Sequence, residues 1–145
     1  MTATAVTSVC ADPPSLLVCI NGSAAIHDPL LASKRFCVNL LRVGQEAVSA
    51  AFGGKLRGME RFGEGTWALS DNGIPFLETA QANVFCGVEQ IVPYGTHSIV
   101  IGGVEDVQLA DHVSPLLYEN GKYAKSATLA LRNLFEAGND VPSKD

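Results

Sequence analysis

Residues 1–21 read MTATAVTSVCADPPSLLVCIN. Thr2–Val9 (TATAVTSV) is rich in Thr and Val, which favours an extended chain carrying hydroxyls along its length. Asp12-Pro13-Pro14 is a hard break, because proline lacks a donor and the residue before it avoids the helical region. Ser15–Ile20 (SLLVCI) is a short apolar run suited to a buried strand. A hydroxyl-bearing strand, a proline break and a buried strand set a β-rich reading for the chain.

The residues further along support it. Asn21-Gly22-Ser23 is a turn. Asp28-Pro29 opens a short helix through Ser33, with proline at its first position. Phe36–Leu41 (FCVNLL) reads as a third strand, and Gly44–Phe52 has helical spacing at Ala47, Val48, Ala51 and Phe52. Gly53–Gly65 is glycine-rich and charged, and reads as a loop carrying Lys55, Arg57, Glu60, Arg61 and Phe62. Trp67–Leu69 is a brief strand and Asn72-Gly73 a turn. Ala80–Val92 and Thr96–Leu109 read as two long strands bent at Pro93-Tyr94-Gly95, with alternation at Val84, Cys86, Val88 and at Val100, Gly102, Val104. Pro115–Tyr118 is a further strand closed by Asn120-Gly121. Lys122–Glu136 reads as a C-terminal helix, with a polar tail from Gly138. Many strands with hairpin joints and few helices point to a barrel or sandwich.

The chain has 145 residues, the size of one domain, with 47% hydrophobic and 17% charged residues. A net charge of -5 with ten Lys and Arg makes the chain a poor candidate for a nucleic-acid backbone binder. The four cysteines, Cys10, Cys19, Cys37 and Cys86, form no CxxC pair. Cys19 and Cys37 lie inside apolar runs, as buried reduced thiols do. The expected compartment is therefore reducing and cytoplasmic. Neither a signal peptide nor a stretch of membrane-spanning length is evident. No GxGxxG fingerprint, nucleophile elbow or metal-ligand spacing is present.

The opening stretch, then KRFCVNLLRVGQEAVSAAFGG, ERF, PYGTHSIVIGGVEDV and PLLYENGKY, resembles the flavin reductase-like family, block by block and in order, from Met1 to Tyr123. The resemblance implies a mainly β, split β-barrel FMN-binding fold with a few short helices. It divides the chain into a flavin reductase-like domain at 1–123 and a C-terminal helix and tail at 124–145. It also implies a homodimer that holds FMN or FAD, takes hydride from NADH or NADPH, and passes reduced flavin to an oxygenase partner. Two departures stand out. The family's N-terminal helix and first strand are lacking before Met1, so an upstream extension is expected to stabilise the barrel. The turn NGSAAIHDP has Ala24 and Ile26 where a second phosphate-facing hydroxyl is expected.

A flavin needs an apolar slot, donors for its polar edge and a phosphate site. Ala3 and Ala5 permit close approach of a ring, and Thr2, Thr4, Thr7 and Ser8 offer hydroxyls. On residues alone, a Thr-rich edge strand serves equally well. At Asn21, Gly22 and Ser23, glycine allows backbone amides to face an anion, although a plain turn is the commoner case. Lys34, Arg35 and Arg61 could neutralise phosphate, and Phe36 and Phe62 could cover the ring, but a lone surface cation is usually just solvated. The resemblance assigns His97, in GTH, to the nicotinamide side of the site as the catalytic residue. A surface turn histidine is the bland alternative, and His27 and His112 carry no motif. Two other readings remain open: a flavin-binding module without reductase activity, and a reductase for another acceptor such as a corrinoid.

Overall fold

The computed structural model describes residues 1–129. In chain order the elements are β1 (Val6–Ala11), β2 (Pro14–Asn21), α1 (His27–Ser33), β3 (Arg35–Leu40), α2 (Glu46–Ala50), β4 (Trp67–Leu69), β5 (Pro75–Leu77), β6 (Ala82–Tyr94), β7 (His97–Leu109), β8 (Leu116–Glu119) and β9 (Lys122–Lys125). Five strands form one sheet in the order β1-β2-β7-β6-β3, and β4-β5 and β8-β9 are separate hairpins. All pairings are antiparallel. The fold is mainly β with few short helices, as the sequence implies, and is consistent with a split barrel.

One line of pairs crosses four strands of the sheet. Ser15 pairs with Gly103, Gly103 with Gly87, and Gly87 with Arg35. On one side of it β2, β7 and β6 run together to the Tyr94–His97 pair, while on the other β7, β6 and β3 continue. A register shift lies beside the line, between Val88 and Gln90. The glycines leave bare backbone that side chains cover. Glu105 lies over Gly87, Glu89 over Gly103, and the Phe36 ring over Gly102. The principal core gathers Leu16, Val18, Ile20, Leu30, Phe36, Cys86 and Val100. A second, smaller cluster of Val48, Leu77 and Ala80 sits under α2 and the β4-β5 hairpin.

Four expectations are revised. The first strand begins at Val6, not Thr2, because α2 and the turn after it capture Thr2: its amide donates to the Phe52 carbonyl at 3.0 Å and its hydroxyl to the Ser49 carbonyl at 2.6 Å. Helix α2 stops at Ala50 and widens into a π-turn over Ala51–Lys55, which Gly54 ends with a φ of 117°. The glycine-rich loop also contains a 3₁₀ turn at Gly58–Gly63, and Pro75–Leu77 is a strand that had no sequence signal. The helix expected from Lys122 is instead strand β9 at Lys122–Lys125. Asn120 and Gly121, with φ of 49° and 77°, make a two-residue reversal that returns the chain along β8. That reversal and the Tyr118–Tyr123 ring contact at 5.3 Å outweigh local helix propensity. Residues 126–129 have no regular structure, and the rest of the expected helix lies outside the described residues.

Gly102→Ala should be strongly destabilising. A Cβ there would sit 2.6 Å from the Phe36 Cζ and 3.0 Å from the Cys86 Cβ, overpacking that typically costs about 1–3 kcal/mol. Thermal unfolding of the variant should show a melting point several degrees lower, and an unchanged one would mean that the Phe36 ring moves aside freely.

Candidate functional site

The β2–β7 register determines which candidate residues meet. Asn21 pairs with His97, which also pairs with Tyr94 across the β6-β7 tip. The Gly22 amide donates to the Thr96 carbonyl at 2.9 Å. The Asn21-Gly22-Ser23 turn and His97 therefore lie side by side, although more than seventy residues separate them. His97 is exposed, and its Nδ1 lies 2.9 Å from the Thr96 hydroxyl, which steadies the ring. The N-terminal segment reaches the same end of the sheet. The Ala5 carbonyl accepts from the Cys19 amide at 3.2 Å, two residues before Asn21.

Residues 2–5 are exposed, as are Thr7 and Ser8 on the edge strand β1. Among the described residues, the hydroxyls of Thr4, Thr7 and Ser8 make no hydrogen bond to protein, whereas that of Thr2 is spent on Ser49. Arg61 and Phe62 stand near this segment. Burial first, and then the charge of Arg61, hold the Met1 amine below its ordinary pKa. The Arg61 Nε donates to the Leu56 carbonyl at 3.0 Å. Phe62 packs edge-on against Phe52 and Trp67, with ring centroids 5.2 and 5.1 Å away.

The turn differs from the expected anion cradle. Its amides are already engaged: Gly22 with Thr96, Ser23 with the Asn21 side-chain oxygen at 2.9 Å, and Ala24 with the Asn21 carbonyl at 2.9 Å. The Ser23 hydroxyl also donates to the Asn21 Oδ1, at 2.8 Å. The turn is thus a self-satisfied Asx turn. What it offers outward is the Asn21 side-chain NH₂, which makes no hydrogen bond among the described residues.

Lys34, Arg35 and Phe36 lie apart from this end, beside the glycine line. Lys34 caps α1 in the left-handed region at φ 57°, and its carbonyl accepts from the Val88 amide at 2.8 Å. The Arg35 Nε lies 3.4 Å from a Glu105 carboxylate oxygen. Phe36 is buried in the core. Arg35 and Phe36 border an open hollow of about 440 Å³ that Phe76, Phe85, Cys86 and Glu105 also line. Burial pushes the thiols of Cys37 and Cys86 up to about 12 and about 11, so both stay protonated near neutral pH and are poor nucleophiles. No His/Cys/Asp/Glu group among the described residues could hold a metal ion. No helix there is long and apolar enough to cross a membrane.

Sequence reasoning passed over His27. Its Nε2 lies 3.0 Å from the Ser98 hydroxyl and its Nδ1 2.9 Å from the Asp28 carboxylate. No spacing in the sequence could reveal a contact across 71 positions.

Comparison with known proteins identifies the family. The flavin reductase like domain matches residues 1–127, and the chain belongs to that family. The chain is 45% identical over 131 residues to the reductase component of an FADH(2)-dependent resorcinol hydroxylase from Rhizobium sp., covering 90% of this chain and 73% of that protein. It is 42% identical to the FMN reductase (NADH) RutF of Pseudomonas syringae, covering 84% of this chain and 68% of that one. Among solved structures, the flavin reductase PheA2 superposes with a TM-score of 0.78 at 32% identity, covering 88% of this chain and 80% of that one. The NADH:FAD oxidoreductase SgcE6 of Streptomyces globisporus, in complex with NAD and FAD fragments, superposes with a TM-score of 0.79 at 29% identity, over 88% and 76% of the two chains.

Thr2→Val removes the bond to Ser49 while keeping the shape of the side chain. It should cost roughly 1 kcal/mol and free residues 1–5 from α2, whereas Thr2→Ser should behave as wild type. Amide exchange at residues 2–5 checks this. Equal protection in Thr2→Val and wild type would show that the hydroxyl does not hold the segment.

Proposed function

We propose that this chain is a NAD(P)H-dependent flavin reductase that supplies reduced FMN or FAD to a partner oxygenase. The observation that carries the reading is the juxtaposition of His97 with Asn21, at the same end of the sheet as the exposed Thr2–Ala5 segment. Membership of the flavin reductase family and the names of the relatives supply the reaction class.

The residues suit a flavin. Ala3 and Ala5 leave room for a flat ring against the chain, and the hydroxyls of Thr4, Thr7 and Ser8 can bond its polar edge or its ribityl and phosphate groups. Asn21 contributes its NH₂ rather than the amide cradle expected of its turn. Arg61 is the cation best placed for phosphate, and Phe62 closes the aromatic wall beside it. Lys34 and Phe36 stand with the second group, at the glycine line, and a role for them at the ring requires a ligand that extends that far.

When bound, a flavin supplies the ring that accepts hydride. The task of the protein is positional, since hydride transfer needs two rings held at near-attack distance and no acid or base on the hydride. His97 is exposed beside the hairpin tip, where its own strand pairs with both Asn21 and Tyr94, so it can brace a nicotinamide. With no dinucleotide-binding fingerprint, the nicotinamide docks directly over the flavin.

The exposed edge of the sheet supports a reading of assembly. Strand β1 is exposed over nearly its whole length, and its Val9 is 50% exposed. An unpaired, partly apolar edge favours a partner, and we assign it to a homodimer. Light scattering at micromolar concentration should give twice the chain mass, and a stable monomer would overturn the assignment.

The test of function is NADH oxidation with and without added FMN or FAD. Flavin-dependent oxidation is expected, and its absence with both NADH and NADPH would refute the reading. His97→Ala should leave flavin binding nearly intact while lowering kcat/KM for NADH about tenfold, equivalent to about 1.4 kcal/mol. Ala5→Leu should do the reverse, filling the slot and weakening flavin binding. Unchanged constants in either variant would remove that residue from the site.

A further inference from the structure

The segment between Asn21 and α1 is held at both ends to the short stretch Thr96–Ser98, where the turn enters β7. At its start Asn21 pairs with His97, and the Gly22 amide donates to the Thr96 carbonyl at 2.9 Å. At its end the His27 Nε2 lies 3.0 Å from the Ser98 hydroxyl. Ser98 is buried and follows the exposed His97, so the two side chains occupy opposite faces of the strand. The Asp28 carboxylate, 2.9 Å from the His27 Nδ1, orients the ring so that Nε2 faces Ser98. With Nδ1 protonated toward the carboxylate, Nε2 accepts a hydrogen bond from the Ser98 hydroxyl.

The β6 side gives less support at this level, because Ser98 pairs with Pro93, which has no amide to donate. Leu30 and the partly buried Ala24 and Ile26 pack onto the principal core beneath the segment. Their apolar contacts give burial but little directional restraint. The His27–Ser98 bond is the directional contact that fixes the segment from inside.

We propose that His27 is a positioning residue for the reductase site. Through Ser98 it clamps the turn that carries Asn21 against the strand that carries His97, and so sets the flavin-facing and nicotinamide-facing groups at a fixed separation. The proposal rests on the reading of this end of the sheet as the flavin and nicotinamide site. Because the clamp holds both groups, its loss should weaken both ligands together, unlike a change at His97 itself.

The test uses the full chain with FMN as the probe, measuring FMN binding by flavin fluorescence and steady-state kinetics with NADH. His27→Ala should raise the FMN dissociation constant and the KM for NADH about fivefold each, with kcat at saturation within twofold of wild type. Ser98→Ala, a smaller change less prone to misfolding, should give the same pattern. The double variant should be no worse than either single one, since both remove one bond. His27→Gln places an amide near the Nε2 position and should restore both constants. A general loss of stability would lower the melting temperature without this paired shift or the rescue. Wild-type constants in His27→Ala and Ser98→Ala, additive losses in the double variant, or no rescue by Gln would each overturn the clamp while leaving flavin reduction standing. A wild-type chain without flavin-dependent NADH oxidation would overturn both.

Discussion

The antiparallel pairing of β2 with β7 is the constraint on which the rest depends. It runs unbroken from Ser15–Gly103 to Asn21–His97. Both strands are buried at alternate positions, and Leu16, Val18, Ile20 and Val100 carry the centre of the core. A slip of one residue would turn those side chains to solvent, so burial itself enforces the register. The same register places Asn21 opposite His97. The pairing of Asn21 with His97 is thus maintained by hydrophobic burial a few residues away, and the His27–Ser98 bond steadies the turn built on that pair.

Around that pair the remaining elements act as supports. Thr2 ties the N-terminal segment to α2, whose far side packs on Leu77 and Trp67. Phe52, Phe62 and Trp67 form an aromatic cluster with centroid separations of 5.0–5.2 Å. The glycine-rich stretch, which looks like a loose loop, is thereby built onto the second core. This explains why a charged segment with so many glycines still adopts defined turns.

Most of the sheet was legible in the sequence because its signals are local. Alternation marked β6 and β7, the proline break marked the β1-β2 hairpin, and Asn-Gly pairs marked two reversals. What escaped depends on tertiary contacts. Thr2 leaves the strand because two carbonyls of a distant helix end bind it, and β9 replaces a helix because β8 offers it a partner. At the site, the blocks resembling the flavin reductase family pointed to the Thr2–Ala5 segment, Asn21 and His97. They gave no hint that the turn amides are spent internally. They also gave none of His27 and Ser98, which are distant in sequence and unremarkable in type.

The line of pairs through Ser15, Gly103, Gly87 and Arg35 has a mechanical meaning. Two of its four positions lack a Cβ, and a register shift adjoins it, so the sheet is least stiff in bending there. From Gly87 to Tyr94 the strand extends for about 23 Å at about 3.3 Å per residue. With a lever of that length, a flexure of about 5° at the line becomes about 2 Å of travel at the hairpin tip, more than half the near-attack separation of about 3–3.5 Å between reacting atoms. The carboxylates of Glu89 and Glu105 lie over the bare glycines of that line, so side chains several residues away from His97 bear on how steadily the tip is held.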